Sequence, residues 1–188
     1  PLDEACADMG IEPWQVAEAL AHSEDPVAPA PFDDLPALPL PTLAAFVQSH
    51  YHANLRLLLV EVVALVDDVE AQYPDRQTGP GALLERVRTG AAELVLHMWR
   101  EELLLSEMVR RGARARLAGV ANAMRREHLR HGAFLDELRT RTRGFSPPAG
   151  ASGAWVGLYV VLADLERQLQ EHILVENELV RRVCESWA

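Results

Sequence analysis

The stretch LYVVLADLERQLQEHILVENEL, residues 158–179, decides the fold. Leu158, Leu162, Leu165, Leu169 and Ile173 recur at steps of three and four, with Leu179 further along. That period lays them on one face of a long helix. The polar residues Asp164, Arg167, Gln168 and Glu171 fall between them. Within the same stretch His172 and Glu176 stand four residues apart, so an imidazole and a carboxylate share one helix face.

Working outward, everything after Pro41 reads as helix, rich in leucine, alanine, glutamate and arginine and without strand signals. Leu57, Val60, Ala64 and Val69 trace one expected core stripe, and Leu94, Leu104 and Met108 another. Breakers fall at Pro74 to Gly81, at Gly112 and at Gly144 to Gly153. Three breaks give four helices, and short connections make sequential neighbours antiparallel. The expectation is an all-α, up-down-up-down antiparallel four-helix bundle over residues 42–188, preceded by a small N-terminal helical hairpin. Residues 1–22 form that hairpin, which is too small to hold a core alone. Residues 23–41 form a linker whose prolines forbid helix and favour extended chain.

The chain has 188 residues, 49% of them hydrophobic, enough for a core. Its net charge of -10 argues against a surface that follows nucleic-acid phosphates. Apolar runs are short; Leu57 to Val60 is cut by Glu61, so no membrane span is expected. Pro1 to Glu4 has no basic region before an apolar stretch, which is not the form of a signal peptide. Cys6 and Cys184 near opposite ends make no disulfide framework and no zinc pair, which fits a reducing cytoplasm.

The histidines carry the chemistry. His97 and Glu101 repeat the spacing of His172 and Glu176. In an antiparallel bundle, residues at one height are equidistant from the turn between them. The midpoint between His52 and His97 falls beside Pro74, that between His97 and His128 beside Gly112, and that between His128 and His172 on Gly150. All three lie in the expected turns. His52, His97, His128 and His172 therefore share a level, one per helix, with Glu101 and Glu176 one turn away.

Four imidazoles and two carboxylates in a core are costly unless something compensates them. A pair of metal ions does. Nitrogen and oxygen donors without thiolate suit iron, manganese or zinc. If both glutamates bridge, each ion keeps room for an oxo or hydroxo bridge and a small exogenous molecule. Glutamate three residues before a histidine, the ferritin-like pattern, is absent: Leu94, Arg125 and Leu169 hold those places. So is HExxH. Neither a nucleophile–base pair nor a phosphate loop is evident, so no catalytic residue is assigned.

The order of lone histidine, His-x-x-x-Glu, lone histidine, His-x-x-x-Glu resembles the hemerythrin-like cation-binding domains. Within them it is most similar to the bacterial iron–sulfur cluster repair (repair of iron centres) proteins. The matching stretches are Ser49 to His52 with Arg56, Glu93 to Glu102, Met124 to His128, and His172 to Asn177. Leu2 to Leu20 resembles the second half of that family's small N-terminal domain, where a Cys-Cys-Gly-Gly motif lies just upstream; this chain begins at Pro1. Many relatives carry histidine where Tyr73 stands, but a straight helix puts Tyr73 about 30 Å from His52. Leu105-Ser106 and Leu179-Val180 replace the family's Leu-Phe-Pro-like helix ends.

The resemblance implies two non-haem iron ions with an oxo or hydroxo bridge, and repair of clusters damaged by nitric oxide or oxidative stress. Its implied partners are damaged iron–sulfur proteins, with oxygen or nitric oxide as small ligands. Glu93 and Glu127 match carboxylates near the family's centre that line an access route. Glu93, one turn before His97, is also placed to orient that imidazole. The alternatives are an oxygen- or nitric oxide-binding module and a metal-free helical interaction protein. The hairpin on its proline linker permits a homodimer.

Other residues read more plainly. His50 points away from His52, and His22 is a helix-end residue. His131, three residues after His128, is expected in solvent rather than among the ligands. Glu102 is a solvated or orienting residue. Trp99 and Trp155 are packing residues, and Arg110 to Arg116 is a solvated basic turn.

Overall fold

The computed structural model describes residues 38–74, 80–111 and 114–185. The hairpin, most of the linker, Cys6, His22 and the glycine of the basic turn lie outside them. The first bundle helix runs through three segments without a break. They are α1 (Leu40–Phe46), a π-helical stretch (Val47–His52) and α2 (Ala53–Gln72). Then follow α3 (Gly81–Arg111), α4 (Arg114–Arg141) and α5 (Gly153–Glu185). Among the described residues there is no strand, and the all-α four-helix bundle stands as expected.

Helix α1 starts with Pro39 as its cap and Pro41 in its first turn, where a missing N–H costs nothing. At the end of α4, Arg143, Gly144 and Phe145 all adopt positive φ. The Gly144 N–H closes onto the Arg139 carbonyl at 2.8 Å. Ser152 then opens α5, its hydroxyl accepting from the Trp155 N–H at 3.4 Å.

Two apolar clusters hold the bundle. The larger lies toward the α2–α3 and α4–α5 turns and includes Leu59, Val62, Leu84, Leu138, Leu158 and Leu162. The smaller joins Leu43, Val47 and Tyr51 to Val175 and Leu179. The buried polar layer sits between them. One sequence expectation is corrected here. Leu57, Val60 and Ala64 do not face the core: they are exposed. Leu55, Leu58, Leu59, Val62, Val66 and Val69 face it instead. Helix α2 is apolar on both sides, so its sequence offers two stripes and periodicity alone does not choose.

Candidate metal centre

His52 closes the π-helical stretch, His97 lies on α3, His128 on α4 and His172 on α5. All four are buried, as are Glu101 and Glu176. The six converge. His52 Nε2 and His172 Nε2 are 3.0 Å apart. Glu176 Oε1 lies 3.3 Å from the first and 2.9 Å from the second. Its other oxygen, Oε2, lies 3.1 Å from His128 Nε2. Glu101 mirrors this arrangement. Its Oε1 is 3.0 Å from His97 Nε2 and 3.4 Å from His128 Nε2, and its Oε2 is 3.6 Å from His52 Nε2.

Each carboxylate thus offers one oxygen to each histidine pair. Two overlapping quartets result: His52, Glu101, His172 and Glu176; and His97, Glu101, His128 and Glu176. Both glutamates belong to both. The residues fit a pair of cations, because the donors already converge yet do not satisfy one another. Both oxygens of Glu101 and the Nε2 of His97 are buried and without a hydrogen-bond partner among the described residues. Short separations that are not hydrogen bonds are what donors aimed at a common ion produce.

The outward ring nitrogens are held from behind. His52 Nδ1 donates to Glu102 at 3.0 Å, and Arg56 donates to the same oxygen at 2.8 Å. His97 Nδ1 donates to Glu127 at 2.7 Å, and Arg100 grips the other Glu127 oxygen. His128 Nδ1 donates to Asn177 at 3.1 Å. A proton fixed on Nδ1 leaves the Nε2 lone pair facing inward, the tautomer a metal requires.

The buried carboxylates and imidazoles shift one another's proton affinities. Burial, with the facing Glu176 charge, raises Glu101 well above the usual carboxylate range. Burial would do the same to Glu176, but His172 and hydrogen bonds from His128, His172 and His52 outweigh it and hold it well below. Burial opposes a charge on His128, yet the facing Glu101 and Glu176 carboxylates push it up to about 10. Burial depresses His97 to about 4.

Several neighbours differ from expectation. Glu93 does not orient His97. It is 61% exposed and lies 3.9 Å from Arg86, because the outward nitrogen of His97 faces α4, where Glu127 stands. His131 is buried rather than solvated. Its ring sits 4.4 Å from that of His97, and burial holds it neutral, down at about 3. The sequence signal was present: Met124, His128, His131, Leu135 and Leu138 form one unbroken core stripe. Trp99 is not a packing residue within the chain, being 59% exposed. Trp155 does pack, against Tyr73 and Tyr159 at the far end. The Tyr73 hydroxyl accepts from the Ser152 N–H there, remote from the histidines. His50 is exposed and stacks on Phe46. Asn177 stands behind His128, a role that its place one residue after Glu176 does not reveal in the sequence.

Residues 46–183 match the model of the hemerythrin HHE cation-binding domain. The iron-sulfur cluster repair protein YtfE of Yersinia pseudotuberculosis is 34% identical over 148 residues, covering 79% of this chain and 67% of that protein. The protein of the same name from Edwardsiella ictaluri is 33% identical over 179 residues, covering 95% and 80%. With the matched region spanning most of the bundle and every histidine of the buried layer, the chain belongs to the hemerythrin HHE cation-binding family.

Proposed function

We propose that the chain is an iron–sulfur cluster repair protein acting through a carboxylate-bridged pair of iron ions. The observation that carries this reading is the sharing of Glu101 and Glu176 between two buried histidine pairs. In the proposal His52 and His172 hold one ion, His97 and His128 the other, and the two glutamates hold both. Six nitrogen and oxygen donor residues without a thiolate favour iron, and manganese or zinc satisfy the same set. Bound there, an iron pair supplies labile iron and one-electron chemistry toward small molecules such as nitric oxide or oxygen.

The protein's own residues do the rest. Glu102, Glu127 and Asn177 keep three imidazoles in the ligating tautomer. The apolar side chains Leu55, Leu59, Leu94, Met98 and Leu169 wall the layer on its core side beside His97 and His172. They keep that side of the layer apolar and closely packed. Repair is favoured over a gas carrier by the name the relatives bear. A metal-free interaction protein is disfavoured by a polar layer with orphaned donors, since a scaffold gains nothing from one. The N-terminal hairpin, the linker and a cytoplasmic setting remain part of the proposal. No helix among the described residues is long and apolar enough to cross a membrane.

The test is metal content and an absorption spectrum on one purified sample, followed by transfer to an apo cluster protein. About two irons per chain, oxo-to-iron charge-transfer bands and cluster recovery in the acceptor are expected. Iron that no apo acceptor can remove would favour the carrier. Zinc or little metal after anaerobic purification would refute the iron assignment.

A further inference from the structure

One buried imidazole stands outside the six donors. His131 lies on α4, one turn beyond His128, and is 7% exposed. Steps of three and four tie it to His128 and Leu135, which face the bundle interior. Its ring meets that of His97 in a T-shaped contact, with centroids 4.4 Å apart. Its Nδ1 is buried and has no hydrogen-bond partner among the described residues. A buried polar atom left unpaired is costly, and folded chains retain few of them. An apolar side chain would fill this place in the stripe at no such cost, as Met124, Leu135 and Leu138 do on either side.

The neighbours that could pair with it are taken. Glu127, one turn before His131 on the same helix, already meets His97 Nδ1, Arg100 and Arg130. Glu101 and Glu176 face the inward nitrogens of the four ligating histidines. His172 Nδ1 is also unpaired, but it lies behind its ring, because Nε2 is the nitrogen that faces His52 and Glu176. Among the described residues, His131 is thus the one buried imidazole with neither ring nitrogen in a hydrogen bond. An imidazole carries at least one N–H in every protonation state it adopts here, so His131 has a hydrogen bond to donate whichever tautomer it holds.

We propose that His131 is the hydrogen-bond donor for a small ligand carried on the ion that His97 and His128 hold, the ligand being an anion or a diatomic molecule that gains negative charge when bound. The inference rests on the iron-pair reading above. That ion receives two imidazoles and the two shared carboxylates, so a six-coordinate iron keeps positions for a further ligand. A hydrogen bond to a charged acceptor is the strong kind, so the donor favours ligands that gain charge over neutral ones of the same size. The two ions are then unequal. On the His52–His172 side the aromatic neighbour is Tyr51, its ring centroid 5.8 Å from that of His172. The charges that bear on its phenol are those of Glu171 and Arg167, a pair at the surface. The small ligand belongs on the α3–α4 side, beside His131.

The experiment is a titration of the iron-loaded, ferric full chain with azide, followed by the azide-to-iron charge-transfer band. Wild type, His131→Leu and His131→Asn are compared, with metal content and circular dichroism on each sample. Leucine keeps the bulk and removes the donor, whereas the asparagine amide stands near the place of Nδ1 and keeps one. His131→Leu is expected to hold two irons per chain and to weaken azide about ten- to hundredfold, with a shifted band. His131→Asn is expected to stay within about threefold of the wild type. A His131→Leu chain that binds azide as tightly as the wild type overturns the proposal. So does an asparagine variant weakened as much as the leucine one, or a wild-type iron pair that takes no azide. Iron lost from both variants makes His131 a ligand and overturns it too. A wild type without an iron pair fails earlier, at the metal analysis, and removes the reading on which the proposal rests.

Discussion

Replacing Glu101 with glutamine is expected to stabilise the metal-free chain while removing its capacity for metal. In the metal-free protein Glu101 is buried, faces Glu176, and has neither oxygen in a hydrogen bond. Its pKa is raised well above 4.5 by burial and by that facing charge. Holding a carboxyl of ordinary pKa 4.5 in its protonated form at pH 7 costs at most about 3 kcal/mol. Glutamine has nearly the same shape and no such cost. A group whose folded pKa is raised contributes stability that is complete below the unfolded pKa and is lost as pH rises toward the folded value. The advantage of glutamine should therefore be smaller at pH 5 than at pH 7, where it is at most about 3 kcal/mol. For a chain of this size that is a rise in Tm of up to about 10 °C at pH 7. Because Glu101 belongs to both quartets, the same change should take bound iron from two per chain toward none. The assay is thermal melting with excess chelator at both pH values, alongside metal analysis without chelator. A metal-free variant that melts below the metal-free wild type, or a variant that still holds two irons, would refute the reasoning.

Chelation of the loaded wild type should lower Tm by about 5–10 °C per ion lost, since a ligand a hundredfold above its Kd contributes about 2.7 kcal/mol; an unchanged melt would count against bound metal. His128→Ala breaks one quartet and leaves all four donors of the other, so metal content should fall to about one ion per chain; unchanged stoichiometry would remove His128 from the ligands. Glu102→Ala frees the Nδ1 proton of His52, and a ten- to hundredfold loss of metal affinity with an unaltered fold is expected by competition against a chelator dye. Gly90→Ala drives a Cβ into the buried Phe134 ring, and a loss of about 1–3 kcal/mol is expected from chemical denaturation, with metal content retained once folded.

Height along the bundle was legible in the sequence because it is a count. His52, His97, His128 and His172 could be levelled from the breakers alone, and no rotamer enters that sum. What lies behind each imidazole was less legible. Glu93 and Glu127 are both carboxylates near His97, and a helical wheel favours Glu93. The choice turns on which seam the outward nitrogen faces, and on Arg86 standing near Glu93, neither of which a single helix reveals. Asn177 meets His128 across two helices. The π-helical stretch before His52 has no sequence cue that we recognise.

The outer stripe of α2 shows the limit most clearly. Leu57, Val60 and Ala64 have the period of a core face, and so do Leu55, Leu59, Val62 and Val66. Periodicity measures whether a face is apolar, not what it meets. A helix apolar on one side has one reading; a helix apolar on both has two partners to find, and within the described bundle α2 finds only one. The outer stripe of α2 therefore reads as core in sequence although it is exposed in the bundle. Solvent would select charge at those positions, and the chain, otherwise rich in charge, places none there.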